Sequence, residues 1–403
     1  MDWLVLGVFI LVYVGMVLGE IPGLALDRTG IALLGAIVML ASGRLTLSQA
    51  WAAVDLPTIA LLFGLMVVSA QFRLGGFYSH VTRRLAAAKA GPSALLALLI
   101  AVVALLSALL ANDVVCLAVA PVLVEGCARR RLNPIPFLLG LACAANVGSA
   151  ATLIGNPQNM LIGQVLKLSF GGYLATAAVP SLLGLAATWA VIVGLYRKKW
   201  EKVTAVSPVA APAFNPWQTG KGMAVIVILI AAFLLAPWPR EVMALAAAGV
   251  LLLSRRMASR EMLGLVDWQL LALFVGLFVV NRALAESGML ARGMAAVGAA
   301  GVDVRQPVPL FIVTVVLSNL VSNVPATMLL LPAASHPLAG PILALSSTLA
   351  GNLIIVGSIA NIIVVDQARA LGVELGWKEH ARAGVPVTLA TLAIAAGWLG
   401  MVN

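Results

Sequence analysis

The sequence predicts an all-α polytopic membrane protein, with about ten transmembrane helices in two inverted repeats, each repeat holding a re-entrant hairpin and a discontinuous helix. Three observations carry that prediction. Of 403 residues, 62% are hydrophobic and 10% charged, more apolar surface than a soluble core hides. Apolar runs near the ~20 residues that a helix needs to cross a bilayer recur along the whole length. Lastly, the second half of the chain repeats the polar punctuation of the first.

The elements follow in order. Full spans are expected near 3–19, 29–43, 57–72, 136–165, 173–196, 221–237, 241–254, 268–284, 341–363 and 383–401. The first run lacks a basic leader and a small-residue cleavage site, so it reads as a retained span. Two further apolar stretches, 93–124 and 307–335, are interrupted near their midpoints and are expected to be re-entrant hairpins. Counting lysines and arginines on this topology places 19 on the side of Arg28, Arg129 and Arg197 and 6 on the side of Arg44, Arg240 and Arg305. By the positive-inside rule both termini are external, the 197–221 loop is cytoplasmic, and the protein sits in the cell (inner) membrane. The net charge of +10 therefore reflects topology and anionic lipid rather than nucleic acid.

The repeat divides the chain into a first unit, 1–203, a Pro-rich cytoplasmic connector, 204–220, and a second unit, 221–403. "VDLPTIALLFGLMVVSAQFRLGG" from Val54 lies over "VDWQLLALFVGLFVVNRALAESG" from Val266 at an offset of 212, pairing Asp55 with Asp267, Gly64 with Gly276 and Gly76 with Gly288. At offset 211, "SALLANDVVCLAVAP" from Ser107 lies over "SNLVSNVPATMLLLP" from Ser318, aligning Asn112 with Asn323 and Pro121 with Pro332. Five crossings plus a hairpin is an odd number, so the halves insert upside down relative to each other, the pattern of a transporter. The paired Asn, Asp, Gly and Pro positions carry this inference, because Leu and Val match by chance.

Each half also holds a broken span. "GSAATLIGNPQNMLIG" from Gly148 breaks at Asn156-Pro157, since proline donates no backbone hydrogen, and "AGNLIIVGSIANIIVV" from Ala350 answers it with Gly357 and Asn361 over Gly155 and Asn159. Irregular backbone at membrane depth survives only where protein or a water-filled cavity satisfies it, so the four interruptions are expected to meet at one site. The substrate-binding candidates are Asn112, Asn146, Asn156, Ser322, Asn323, Asn352, Gly357 and Ser358. Helix ends and amides at such tips hold an uncharged or anionic oxygen-rich solute without fixed charges. Asp113 is the proton-coupling candidate, an acid that can take up and release a proton inside the membrane; the alternative is that it caps the second arm of the hairpin. Asp55 and Asp267 read as helix caps; His80 and His380 fall in cytoplasmic segments and His336 in an external loop, with no metal-ligand spacing. No cofactor is implied, and with no Walker motif there is no sign of ATP hydrolysis in the chain. Nor is there a nucleophile beside a base, so an enzyme is not expected.

"LLANDVVCLAVAP" from Leu109, "GSAATLIGNPQNMLIG" and "SNLVSNVPATMLLLP" resemble the ion transporter superfamily, in its arsenite-permease branch, over nearly the whole chain. The resemblance implies an arsenical pump membrane protein: arsenite and antimonite leave the cytoplasm as neutral trihydroxides in exchange for protons, by alternating access. It also allows a separate soluble ATPase to dock on the cytoplasmic face. Sodium-coupled dicarboxylate relatives carry Ser-Asn-Thr at each tip, whereas this chain has Ala111-Asn112-Asp113 and Ser322-Asn323-Val324; arsenite-pump relatives often carry an acid where this chain has Asn146. A sodium- or proton-coupled anion carrier and a sodium/proton antiporter of the same superfamily remain alternatives. Thiolates bind arsenic(III), which makes Cys116 and Cys143 secondary candidates, but release from a multi-thiolate site is slow and the second half has no partner cysteine.

Overall fold

The computed structural model describes residues 2–19, 23–202 and 210–402. Among these residues the fold is helical, with an antiparallel bridge between Leu132 and Glu201. In hydrocarbon, backbone N–H and C=O groups must be satisfied within the protein, and a helix does so inside its own segment.

The first half runs α1 (Trp3–Leu18), α2 (Arg28–Ala41), α3 (Leu47–Ala53), α4 (Leu56–Leu74), α5 (Phe77–Ala86), α6 (Pro92–Leu109), α7 (Asn112–Arg129), α8 (Pro134–Ser149), α9 (Pro157–Val165) and α10 (Phe170–Tyr196). The second half follows the same course: α11 (Pro216–Leu235), α12 (Arg240–Leu252), α13 (Ser259–Leu263), α14 (Trp268–Glu286), α15 (Met289–Ala299), α16 (Pro307–Val321), α17 (Asn323–Leu330), α18 (Ala339–Ala350), α19 (Ile359–Ala370) and α20 (Trp377–Met401). Short 3-10 turns extend α17 over Leu331–Ala333 and precede α19 over Ile355–Gly357.

Six of these helices, α4, α6, α10, α11, α14 and α20, are individually long and apolar enough to cross a membrane. The other expected crossings are the shorter α1, α2 and α12 and the broken pairs α8–α9 and α18–α19. The hairpin arms meet at Leu110–Ala111 and at Ser322. At 18 residues α6 spans about 27 Å, so its length alone would permit a crossing. Four short helices, α3, α5, α13 and α15, lie between the expected spans; none has more than 11 residues. Of the connector, residues 203–209 lie outside the described residues. Its C-terminal end is already helix, because Asn215 caps α11 by accepting from Gln218 N at 3.1 Å, with Pro216 at the first helical position.

Local chemistry recurs at matching positions. Asp55 and Asp267 cap α4 and α14, accepting from Thr58 N at 2.8 Å and Leu270 N at 2.9 Å. Gly76 and Gly288 precede α5 and α15 in the left-handed region, at φ 67° and 70°, where a side chain would be strained. The halves also cross over. A Cβ on Gly64 would lie 2.7 Å from the backbone of Ala244, and one on Gly276 2.7 Å from the backbone of Ala32. Gly64 and Gly276, like Ala32 and Ala244, are 212 apart in sequence, so α4 lies on α12 as α14 lies on α2.

Candidate functional site

The two hairpin tips and two helix breaks converge. At the first tip, Asn112 N donates to Gly155 O at 3.2 Å, fixing the start of α7 inside the break between α8 and α9. Gly155 has to be glycine there, because a Cβ would sit 2.7 Å from Ser107 O on α6. Asn156 caps α9 as its proline demands: Oδ1 accepts from Asn159 N at 2.9 Å, while Nδ2 donates to Ser149 Oγ at 3.0 Å and Thr348 Oγ1 at 3.3 Å.

Asn146, in the last turn of α8, is the hub. Its Nδ2 donates to Asn352 Oδ1 at 2.8 Å and Asn361 Oδ1 at 3.2 Å; its Oδ1 accepts from Ser358 Oγ at 2.9 Å and Asn112 Nδ2 at 3.4 Å. A first-half side chain thereby ties the first tip to the second break. Across the cluster, Gln158 Nε2 donates to Thr348 Oγ1 at 3.1 Å. With its amide nitrogen turned toward two carbonyls, Asn323 donates to Ser347 O at 3.0 Å and Gly357 O at 3.3 Å and accepts from Gln158 Nε2 at 3.2 Å. Gly357 packs so closely that a Cβ would lie 3.1 Å from both Asn319 Oδ1 and Gly351 O. Ser322 is half-buried at the second tip with φ 76°, a left-handed conformation that costs a non-glycine residue of order 1–3 kcal/mol.

Two asparagines outside the expected set staple the breaks in the same way. Asn159 Nδ2 donates to Ser149 O at 3.4 Å and Thr152 O at 2.9 Å; Asn361 Nδ2 donates to Gly351 O at 2.7 Å and Ile354 O at 3.2 Å. The following helix then supplies one more bond to each break. Tyr173 OH, in the fourth residue of α10, donates to Ala150 O at 2.7 Å, and His380 Nε2, in the fourth residue of α20, lies 3.0 Å from Asn352 O. His380, placed by sequence in a cytoplasmic segment, is buried beside the site. Asn159 and Asn361 carried a signal, since they align in the repeat. Thr348, Gln158 and Tyr173 carried none, because a hydroxyl or amide in an apolar helix marks no particular partner.

The expected residues Asn112, Asn146, Asn156, Asn323, Asn352 and Ser358 are buried together, with Gly357 and Ser322 shaping the backbone around them. Asp113 stands apart. It is half-buried in the first turn of α7 and makes no hydrogen bond or ion pair among the described residues; α7 has no side-chain cap, so the capping alternative does not hold. Cys116 and Cys143 are buried free thiols, on α7 one turn past Asp113 and on α8 one turn before Asn146. The site is thus a wall of neutral amides and hydroxyls, and no lysine or arginine side chain bonds into it among the described residues. Several buried polar atoms in or beside it keep unused capacity, including Asn112 Oδ1, Asn319 Oδ1 and Asn352 Nδ2. They comprise both acceptors and a donor.

Comparison with known proteins agrees with this architecture. A family model described as citrate transporter matches residues 9–342. The silicon efflux transporter LSI3 of Oryza sativa subsp. japonica is 28% identical, with 95% of this chain and 94% of the relative covered. A transporter named arsB from Dictyostelium discoideum is 22% identical over 92% of this chain and 87% of its own. Among solved structures, the YdaH transporter of Alcanivorax borkumensis shares the fold, with a TM-score of 0.59 at 16% identity and coverage of 99% and 96%.

Proposed function

This chain belongs to the citrate transporter family of the ion transporter superfamily, and from that premise we propose that it exports a small, uncharged, hydroxyl-rich acid in exchange for protons. Arsenous acid and its antimony counterpart are the solutes we assign first; silicic acid has the same neutral polyhydroxyl chemistry. The observation that carries this reading is the Asn146 network, in which first-half and second-half amides and hydroxyls meet with no basic side chain among their partners. A citrate-like anion would be desolvated there without a counter-charge, which is costly. A neutral trihydroxide needs only donors and acceptors, and these the site has.

Exporting a neutral solute draws nothing from the membrane voltage, whereas each proton entering in exchange supplies about 2.3 kcal/mol per 100 mV. Asp113 is the group we assign to that proton. It is an acid at a hairpin tip, adjacent in sequence to the Asn112 amide of the site, and no partner holds its carboxylate among the described residues. We take the two halves as inverted repeats working by alternating access in the inner membrane, with the Arg197 side cytoplasmic. The 19 to 6 partition of basic residues supports that orientation.

The test is flux in proteoliposomes of purified protein, offering arsenite, silicic acid, citrate and succinate in turn, with imposed proton or sodium gradients. Proton-driven movement of arsenite or silicic acid supports the reading. Sodium- or proton-driven citrate or succinate uptake without either neutral acid replaces it with an anion carrier.

A further inference from the structure

A second pair of repeat-related contacts lies outside the amide site, and there the two halves differ. Arg240, first residue of α12, donates from Nη2 to Gly163 O on α9 at 2.6 Å. Beside it Gln164 Nε2 donates to Glu241 Oε2 at 3.0 Å. These two bonds fasten α9, the helix that leaves the first break, to the N-terminus of α12. Gly163 suits this role, because a Cβ there would already lie 3.3 Å from Arg240 Nη1.

The register that pairs Gly64 with Gly276 pairs Arg240 with Arg28 and Glu241 with Thr29, both at 212. The register that pairs Asn159 with Asn361 pairs Gly163 with Val365 and Gln164 with Asp366, both at 202. A counterpart contact would therefore join Arg28 and Thr29, at the start of α2, to Val365 and Asp366 on α19. Here that contact is absent among the described residues, and a cavity of about 500 Å³ opens beside the start of α2, lined by Arg28, Thr29, Asp267, Val356, Ile359 and Ile362, with Val365 and Asp366 further along α19. Val356 and Ile359 flank Gly357 and Ser358, so the cavity reaches the outer wall of the amide site. Arg28 Nε is buried there without a hydrogen bond among the described residues, and Asp366 is exposed. The chemistry is complementary with roles exchanged. In the closed contact the acid is on the α12 side and the amide on α9; in the open one the hydroxyl is on the α2 side and the acid on α19.

We propose that Arg28 and Asp366 are the latch of the gate that is open in this structure, and that Arg240, Gln164 and Glu241 are the latch of the gate that is closed. Transport then alternates the two: α19 closes on α2 as α9 releases α12. The structure corresponds to the state open toward the Arg28 side, the cytoplasmic side of the predicted topology. This assignment rests on the alternating-access reading but not on which solute is carried, and it makes these residues positioning residues, since none of them touches the amide site.

Paired cysteines test it, in a background where the native Cys116, Cys127 and Cys143 are buried. In proteoliposomes, Gln164→Cys with Glu241→Cys should cross-link readily, and Thr29→Cys with Asp366→Cys should cross-link only when the transporter cycles. Each cross-link should stop flux, reductant should restore it, and forming one should prevent the other. A charge swap supplies the functional arm: Arg28→Asp or Asp366→Arg alone should lower flux about tenfold, and the two together should recover most of it, as coupled partners do. Size-exclusion behaviour and retained cross-linking of the 164–241 pair in the single variants establish that they are folded. Failure of the 29–366 pair to cross-link during turnover, or wild-type flux in folded Arg28→Asp, overturns the latch whatever the solute proves to be.

Discussion

Asn146 Nδ2 lies 2.8 Å from Asn352 Oδ1, an amide in the last turn of α8 closed on an amide of the second-half break. Asn146 also serves Asn361, Ser358 and Asn112, so one buried side chain joins the first hairpin tip to the second-half break and α19.

Removing that hub should be costly. Asn146→Leu keeps the approximate volume but strips partners from Asn352 and Ser358, and each buried polar group left unpaired costs about 1–3 kcal/mol. Flux is expected to fall at least about tenfold, with a lower melting temperature in detergent. Flux within twofold of wild type would remove Asn146 from the site.

On the proposed assignment of the proton, Asp113→Asn should separate solute handling from proton coupling. The variant should fold, should still exchange labelled solute across a membrane with no gradient, and should lose proton-driven accumulation. Isotope counterflow and pH-jump uptake in the same vesicles measure the two activities, and unimpaired pH-driven uptake would reassign the proton.

His380 and Tyr173 are predicted to do the same work in opposite halves, each holding a carbonyl freed by a break. His380→Leu should cost about 1–3 kcal/mol of stability by orphaning Asn352 O, and His380→Gln, which keeps a donor, should recover much of it. Thermal unfolding followed by tryptophan fluorescence reads the difference. Equal losses for Leu and Gln would reduce His380 to packing.

Gly64→Ala and Gly276→Ala should each destabilise by about 1–3 kcal/mol, since either new methyl meets backbone that cannot yield. Matching losses in monodisperse yield on size-exclusion chromatography are the expected result; a neutral outcome at one site alone would show that the two crossings are not equivalent.

The buried thiols are predicted to be dispensable for chemistry. Cys116→Ala with Cys143→Ala should retain arsenite flux within about threefold, because the amide network supplies the contacts and small cavity changes cost little. Loss of arsenite flux with silicic acid flux intact would instead point to thiol capture.

The sequence alone determined the helical membrane class and the positions at which the spans and hairpin stretches are interrupted. Those follow from properties that need no partner: an apolar run must hydrogen-bond within itself, and Asn-Pro or a paired glycine interrupts a helix wherever it occurs. Asn112, Asn156, Asn323 and Asn352 were legible for that reason. Thr348, Gln158, Tyr173 and His380 were not, because each becomes part of the site only when packing brings a carbonyl or amide of another element within reach. The tertiary structure also decided the difference between Arg240, bonded to Gly163, and Arg28, facing a cavity. Sequence treats these two arginines as equivalents; only the packing decides that Arg240 holds Gly163 O while Arg28 Nε makes no hydrogen bond among the described residues.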